Sequence, residues 1–139
     1  MLLVDTNIIV PLYVRSVRSP AVAELFAHDP VWRTEPLALI ELSNVLITYE
    51  RARYITAATA RDCLNRAAAF LQPHLFRVSH QVALEAALRY GTTAYDARFL
   101  ALAQQLRMRL VTEDAKLRAV APALTQSLAE AVATPGASS

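Results

Sequence analysis

The sequence predicts an α/β fold: a three-layer sandwich with a central parallel sheet covered by helices. The strand candidates, led by Leu2-Leu3-Val4 and Leu110-Val111, are short continuous apolar runs, as in strands buried on both faces. They alternate along the chain with longer stretches of helical period, the order that yields a parallel sheet. The chain has 139 residues, 55% of them hydrophobic, and only 2 glycines, so one domain with one core is expected and disorder is not. That domain is placed at 1–133, and the tail "TPGASS" at 134–139 is expected to be loose.

Residues 2–5 read as a first, fully buried strand that ends on Asp5. Thr6 or Asn7 caps a helix running through Tyr13, and Ser19 and Pro20 open a second helix over 20–28. The stretch 30–33 reads as a turn or a short strand. A strong helix covers 36–53, and Thr56 caps another over 57–71 that Pro73 stops. The stretch 75–78 is expected to be a strand, followed by a helix capped by Ser79 and ended by Gly91. Thr92 or Thr93 caps a helix over 94–106. Residues 110–112 form a further strand leading to a short helix over 115–120, and 124–127 a weak last strand before a short terminal helix.

Composition narrows the function. A net charge of +2 and a pI near 9.0 are compatible with a nucleic-acid partner without arguing for one. The first ten residues contain Asp5 and lack a basic flank and a cleavage site, so they are not a signal peptide. No apolar run reaches membrane-spanning length, and a soluble, cytoplasmic protein without a membrane partner is expected. The single cysteine, Cys63, suits a reducing compartment and reads as a small core residue. His28, His74 and His80 follow no metal spacing, Trp32, Tyr49 and Tyr54 read as packing groups, and there is no glycine-rich phosphate loop.

Four carboxylates stand out. Asp5 closes the first strand at the edge where parallel sheets bind ligands, although it could also cap the helix that follows. Glu41 lies four residues from both Leu37 and Val45, on an apolar helix face, where an uncompensated charge costs several kcal/mol (roughly, for a buried ion) and a structural partner such as an arginine is the plain alternative. Asp96 is third in its helix after Thr93, where it answers the helix dipole and can close a capping box, and Asp114 occupies a similar first-turn position. Each has an ordinary explanation; their conjunction on one sheet edge has fewer. Carboxylates about 4 Å apart repel by roughly 4 kcal/mol at an effective dielectric near 20, so such a cluster needs a cation. Oxygen ligands without Cys or His select Mg²⁺ or Mn²⁺, and such ions bridge to phosphate oxygens, making a phosphodiester or phosphoanhydride the natural substrate.

The stretches "LLVDTN", "LALIELSNVL", "TTAYDARFLALAQQL" and "LVTEDAKL" together resemble the PIN domain, and more closely the VapC toxin ribonucleases of toxin–antitoxin pairs, over about residues 2–127. The resemblance implies a PIN-like fold and a Mg²⁺- or Mn²⁺-dependent endoribonuclease. Asp5 and Asp96 would be the main metal ligands, with Glu41 and Asp114 as the third and fourth acids. Thr6, Asn7 and Thr112 would hydrogen-bond to the ligands. A metal-activated water would attack in line and leave a 5′-phosphate and a 3′-hydroxyl. Family members are typically homodimers and bind a small antitoxin whose C-terminal segment covers the groove, and an antitoxin arginine or lysine is expected near Asp5 and Asp96. Arg51, Arg53 and Arg98 are candidates to hold the RNA backbone, or else surface helix charges. Glu113 departs from the pattern by placing a second acid beside Asp114. Two other readings remain: a non-catalytic PIN-like binding or scaffold module, and another metal-dependent phosphohydrolase. A haloacid-dehalogenase-type phosphatase would need an Asp where Asn7 stands, and a receiver domain would need a paired acid beside Asp5 and a lysine at a later strand end.

Overall fold

In a computed structural model, which describes residues 1–134, four parallel strands form a sheet in the order β2-β1-β3-β4. Strand β1 (Leu2–Val4) leads into α1 (Thr6–Tyr13) and α2 (Ser19–His28), and β2 (Trp32–Arg33) leads into α3 (Leu37–Arg51) and α4 (Ala57–Leu71). After a 3-10 turn at Gln72–His74 come α5 (His80–Tyr90), α6 (Ala94–Leu106), β3 (Leu110–Val111), α7 (Ala115–Val120), β4 (Thr125–Gln126) and α8 (Leu128–Ala133). The α/β sandwich expected from the alternating pattern is the architecture found. Beyond Thr134 the expected loose tail lies outside the described residues.

The sheet is narrow and its ladder short. Leu2 pairs with Trp32, Leu3 with Leu110 and Leu110 with Thr125. Leu3, Val4, Leu110 and Val111 are all fully buried, which is why these strands carry no alternation. Helix α6 lies deepest, burying Ala97 and the run Phe99 to Ala103, and packs on α5 and β3. Helix α1 packs against α2, α3 and α4, and α2 against α8. Trp32 anchors the far edge, its ring edge-on to Phe26 at 5.8 Å and to Phe70 at 6.0 Å, its indole N–H donating to the Asp29 carbonyl at 2.8 Å. Cys63 is buried in this core.

Several strand and helix ends shift by a residue or two from the sequence reading, and three departures bear on the site. Residues 75–78 are not a strand: the segment makes one isolated parallel bridge, Leu75 to Thr34. Phe76 turns instead beneath the Arg33 guanidinium at 5.2 Å, and the Val78 carbonyl accepts from Arg98 rather than from a neighbouring strand. Helix α3 stops at Arg51 because Arg53 takes a left-handed φ of 60°. The cap of α1 is neither Thr6 nor Asn7 but Asp5, the other reading its position offered: its side chain accepts from the Thr6 N–H, and Thr6 is the first helical residue.

Candidate active site

Because every strand is parallel, the chain leaves β1, β2 and β3 at one edge of the sheet, and Asp5, Glu35 and Thr112 follow those strands. Asp5 is only 7% exposed. Its Oδ1 accepts from the Thr6 N–H at 2.7 Å, and its Oδ2 from the Thr112 hydroxyl at 2.7 Å and the Asn7 amide at 3.4 Å. Asn7 also donates to Thr112 Oγ1 at 3.3 Å and accepts from the Glu113 N–H at 3.1 Å, tying β1 to the β3 exit. Burial pushes the Asp5 carboxyl up to about 6 against these bonds, with Glu41 and Asp96 adding repulsion.

A groove of about 470 Å³ opens above this edge, lined by Asp5, Glu41, Asp96 and Asp114 together with an apolar wall that includes Val10, Val45 and Tyr49. Glu41 reaches it half-buried from the first half of α3, its Oε1 accepting from the Thr6 hydroxyl at 2.6 Å. Asp96 stands in the first turn of α6. Thr93 Oγ1 accepts from the Asp96 N–H at 3.1 Å, but the reciprocal bond of a capping box is not formed, and among the described residues the Asp96 carboxylate accepts no hydrogen bond. Burial raises the Glu41 carboxyl, as do Asp96 and Glu35, and it raises the Asp96 carboxyl, as does Asp114. Asp114 caps α7 through the Leu117 N–H at 3.1 Å while lining the groove.

The arginines named from the sequence stand elsewhere. Arg51 and Arg53 are exposed at the end of α3, and neither lines the groove. Arg98 does not line it either: its Nε donates to Glu35 Oε1 at 3.2 Å, its Nη2 to the Val78 carbonyl, and its Nη1 lies 3.3 Å from His80 Nδ1. Arg98, a candidate for the RNA backbone or else a surface helix charge, is thus engaged away from the groove by Glu35, the Val78 carbonyl and His80. Two residues were missed. Glu35 is 2% exposed and also accepts from the Leu37 N–H at 2.7 Å; its place after a strand, like that of Asp5, was the available signal. Arg18 lines the groove, and nothing in its local sequence marks it.

The PIN domain family profile matches residues 2–122 of this chain. The chain belongs to the PIN domain family. Over 126 residues, covering 88% of this chain and 96% of the relative, it is 31% identical to the protein named Ribonuclease VapC3 from Pyrobaculum aerophilum. The crystal structure of PAE2754 from the same organism superposes with a TM-score of 0.72 over 94% of this chain and 91% of that one; at 20% identity, this likeness speaks to the fold.

Do the residues of this PIN domain suit the divalent ion its family implies? The acids facing the groove offer oxygen ligands, and burial and mutual repulsion disfavour their charged forms, a penalty that a bound cation relieves. Among the described residues, no three acidic, histidine or cysteine side chains are drawn together into a ready-made metal cage. An open set of carboxylates suits Mg²⁺, which keeps several of its waters, better than an ion that needs a complete protein shell.

The raised Asp5 carboxyl predicts a pH-dependent stability. Asp5 holds its proton more tightly folded than unfolded, so in chelator its contribution is full below pH about 4 and is lost as pH rises from 3.8 through about 6. The loss approaches 3 kcal/mol as an order of magnitude (about 1.4 kcal/mol per unit). Urea unfolding of wild type and Asp5→Asn across this range will show the difference in stability moving in favour of Asn as pH rises. A constant difference would remove the assignment.

Proposed function

We propose that this PIN domain is a metal-dependent endoribonuclease and the toxin of a toxin–antitoxin pair. The observation that carries the reading is the meeting of Asp5, Glu41, Asp96 and Asp114 on one groove at the strand ends of a PIN fold. The 31% identity to a protein named Ribonuclease VapC3 supports RNA as the substrate. Asp5, Asp96, Glu41 and Asp114 would hold Mg²⁺ or Mn²⁺. The ion, when bound, supplies an acidified water and neutralises charge on the scissile phosphate.

The chain's own residues prepare the ground for that chemistry. Thr112 and Thr6 fix the Asp5 and Glu41 carboxylates by hydroxyl bonds, so that each presents a set oxygen rather than a rotating pair. Asn7 locks the β1 and β3 exits together, holding the spacing between Asp5 and the Thr112–Asp114 turn. Asp96, accepting no bond among the described residues, is free to take a ligand. The apolar wall beside the acids suits a covering antitoxin segment, with a basic side chain reaching the carboxylates. Exposed Ile40 and Ile47, two turns apart on α3, and Leu84 and Leu88, one turn apart on α5, support a homodimer.

The test is cleavage of single-stranded RNA by the purified protein in Mg²⁺, in Mn²⁺ and in EDTA, alone and after co-expression with the product of the adjacent reading frame, with the oligomeric state measured by sedimentation. Cleavage is expected in either metal, none in EDTA, and less in the complex. Full activity in EDTA would overturn the mechanism. RNA binding without cleavage in either metal would favour a non-catalytic PIN module instead.

A further inference from the structure

Among the groove's described lining residues, Arg18 is the only cation. Its backbone is fixed while its side chain is not. The turn before α2 is closed by bonds from the Ser16 N–H to Ser19 Oγ at 2.9 Å and from the Arg18 N–H to Ser16 Oγ at 3.2 Å, and Ser19 Oγ is anchored on the Pro11 carbonyl of α1 at 2.8 Å. The side chain stays 46% exposed, and among the described residues its one charged contact is Glu113 Oε1 at 3.9 Å from Nε, too long for a hydrogen bond. Glu113 is held from behind: Oε2 accepts from Arg118 Nη1 at 3.3 Å and from the Leu128 N–H at 3.2 Å, and its own N–H donates to Asn7. The anchored oxygen leaves Oε1 facing Arg18. The acid that departs from the family pattern therefore turns away from the four groove carboxylates and toward the groove's cation.

Resting on the ribonuclease reading, we infer that Arg18 binds a phosphate of the RNA strand in the groove and that Glu113 is its positioning residue. Four carboxylates outweigh the charge of one divalent ion and still repel a polyanion, so a cation on the same groove favours a strand drawn to them. A guanidinium offers a planar fork of N–H donors that matches phosphate oxygens, and a loose ion pair aims that fork without consuming its donors. The contact carries no base information and serves any sequence.

The experiment measures kcat and KM on a single-stranded RNA oligomer in Mg²⁺ from about 50 to about 200 mM salt, for wild type, Arg18→Gln, Arg18→Lys, Glu113→Gln and the Arg18→Gln/Glu113→Gln double variant, with thermal melting to confirm folding. Arg18→Gln should raise KM about tenfold with kcat little changed, the size of one lost charged hydrogen-bonding contact. It should also flatten the plot of log affinity against log salt by about 0.7, one phosphate contact on a single strand. Arg18→Lys should keep the wild-type slope and recover only part of KM. Glu113→Gln should raise KM in the wild-type background and change nothing further in the Arg18→Gln background. An unchanged slope in folded Arg18→Gln would overturn the phosphate contact. Equal Glu113→Gln effects in both backgrounds would overturn the positioning role. A wild type that does not act on RNA at all would overturn the ribonuclease reading, and this inference with it.

Discussion

Asp96→Asn is expected to lower RNA cleavage in Mg²⁺ by a factor on the order of 10³, the scale seen when a preorganised electrostatic group is removed from an active site, while the protein melts no earlier than wild type in chelator. The two halves of this result have one cause. Asp96 is half-buried, its carboxyl is raised by burial and by Asp114, and among the described residues it accepts no hydrogen bond. Asparagine keeps its shape and breaks no internal bond, so folding loses only the small interaction of the charge with the helix dipole, which the fall in repulsion beside Asp114 and Asp5 offsets. Asp5→Asn should be as inactive, although it also weakens one of the bonds from Thr6, Thr112 or Asn7, so its stability gain is confined to neutral pH. Single-turnover cleavage and melting in EDTA check both variants. Retention of more than about a tenth of wild-type activity by Asp96→Asn would exclude Asp96 from the site's chemistry, being far short of the loss above.

Arg98→Ala carries the largest expected cost in stability, about 3–5 kcal/mol, against a total of about 5–15 kcal/mol for a domain of this kind. The truncation strands the Glu35 carboxylate, 2% exposed, with only the Leu37 N–H as a partner, and strips the Val78 carbonyl of its donor. Arg98→Lys should recover only part of the loss, because one ammonium does not span the acid, the carbonyl and His80 as a guanidinium does. The double variant Arg98→Met/Glu35→Gln should be markedly more stable than Arg98→Ala, since no buried charge is left alone. Urea unfolding measures all three. A loss below about 1 kcal/mol for Arg98→Ala would mean that Glu35 is solvated, as in an exposed pair.

The elements legible in the sequence are those whose signal is local. Apolar runs at Leu2 to Val4 and Leu110 to Val111 announce buried strands, side-chain caps at Thr56, Ser79 and Thr93 announce α4, α5 and α6, and Gly91 with φ 66° closes α5. The stretch 75–78 misled because its composition is that of a strand, whereas a partner strand and Arg98's claim on the Val78 carbonyl are tertiary facts. Asp5 and Glu41 could be found because a strand end and an apolar helix face are unusual places for a charge, whereas Asp96 and Asp114, at ordinary helix starts, stood out only in conjunction with them. Arg98 and Arg18 could not be told apart by type: one lies in the second turn of α6 and the other just before α2, and only the fold hands the first to Glu35 and the second to the groove.

The bond between Asp5 and Thr112 joins residues 107 positions apart, and β1 has no inner neighbour until β3 arrives. A ribosome delivers residue 5 long before residue 112, at roughly 5–20 residues per second. During that interval β1 can pair only with β2, leaving Asp5 without its Thr112 bond and Asp114 unmade. Any nascent chain or fragment that stops before β3 consequently lacks both the Asp5–Thr112 bond and Asp114, and the four-acid groove is completed only once β3 and the turn after it have been made.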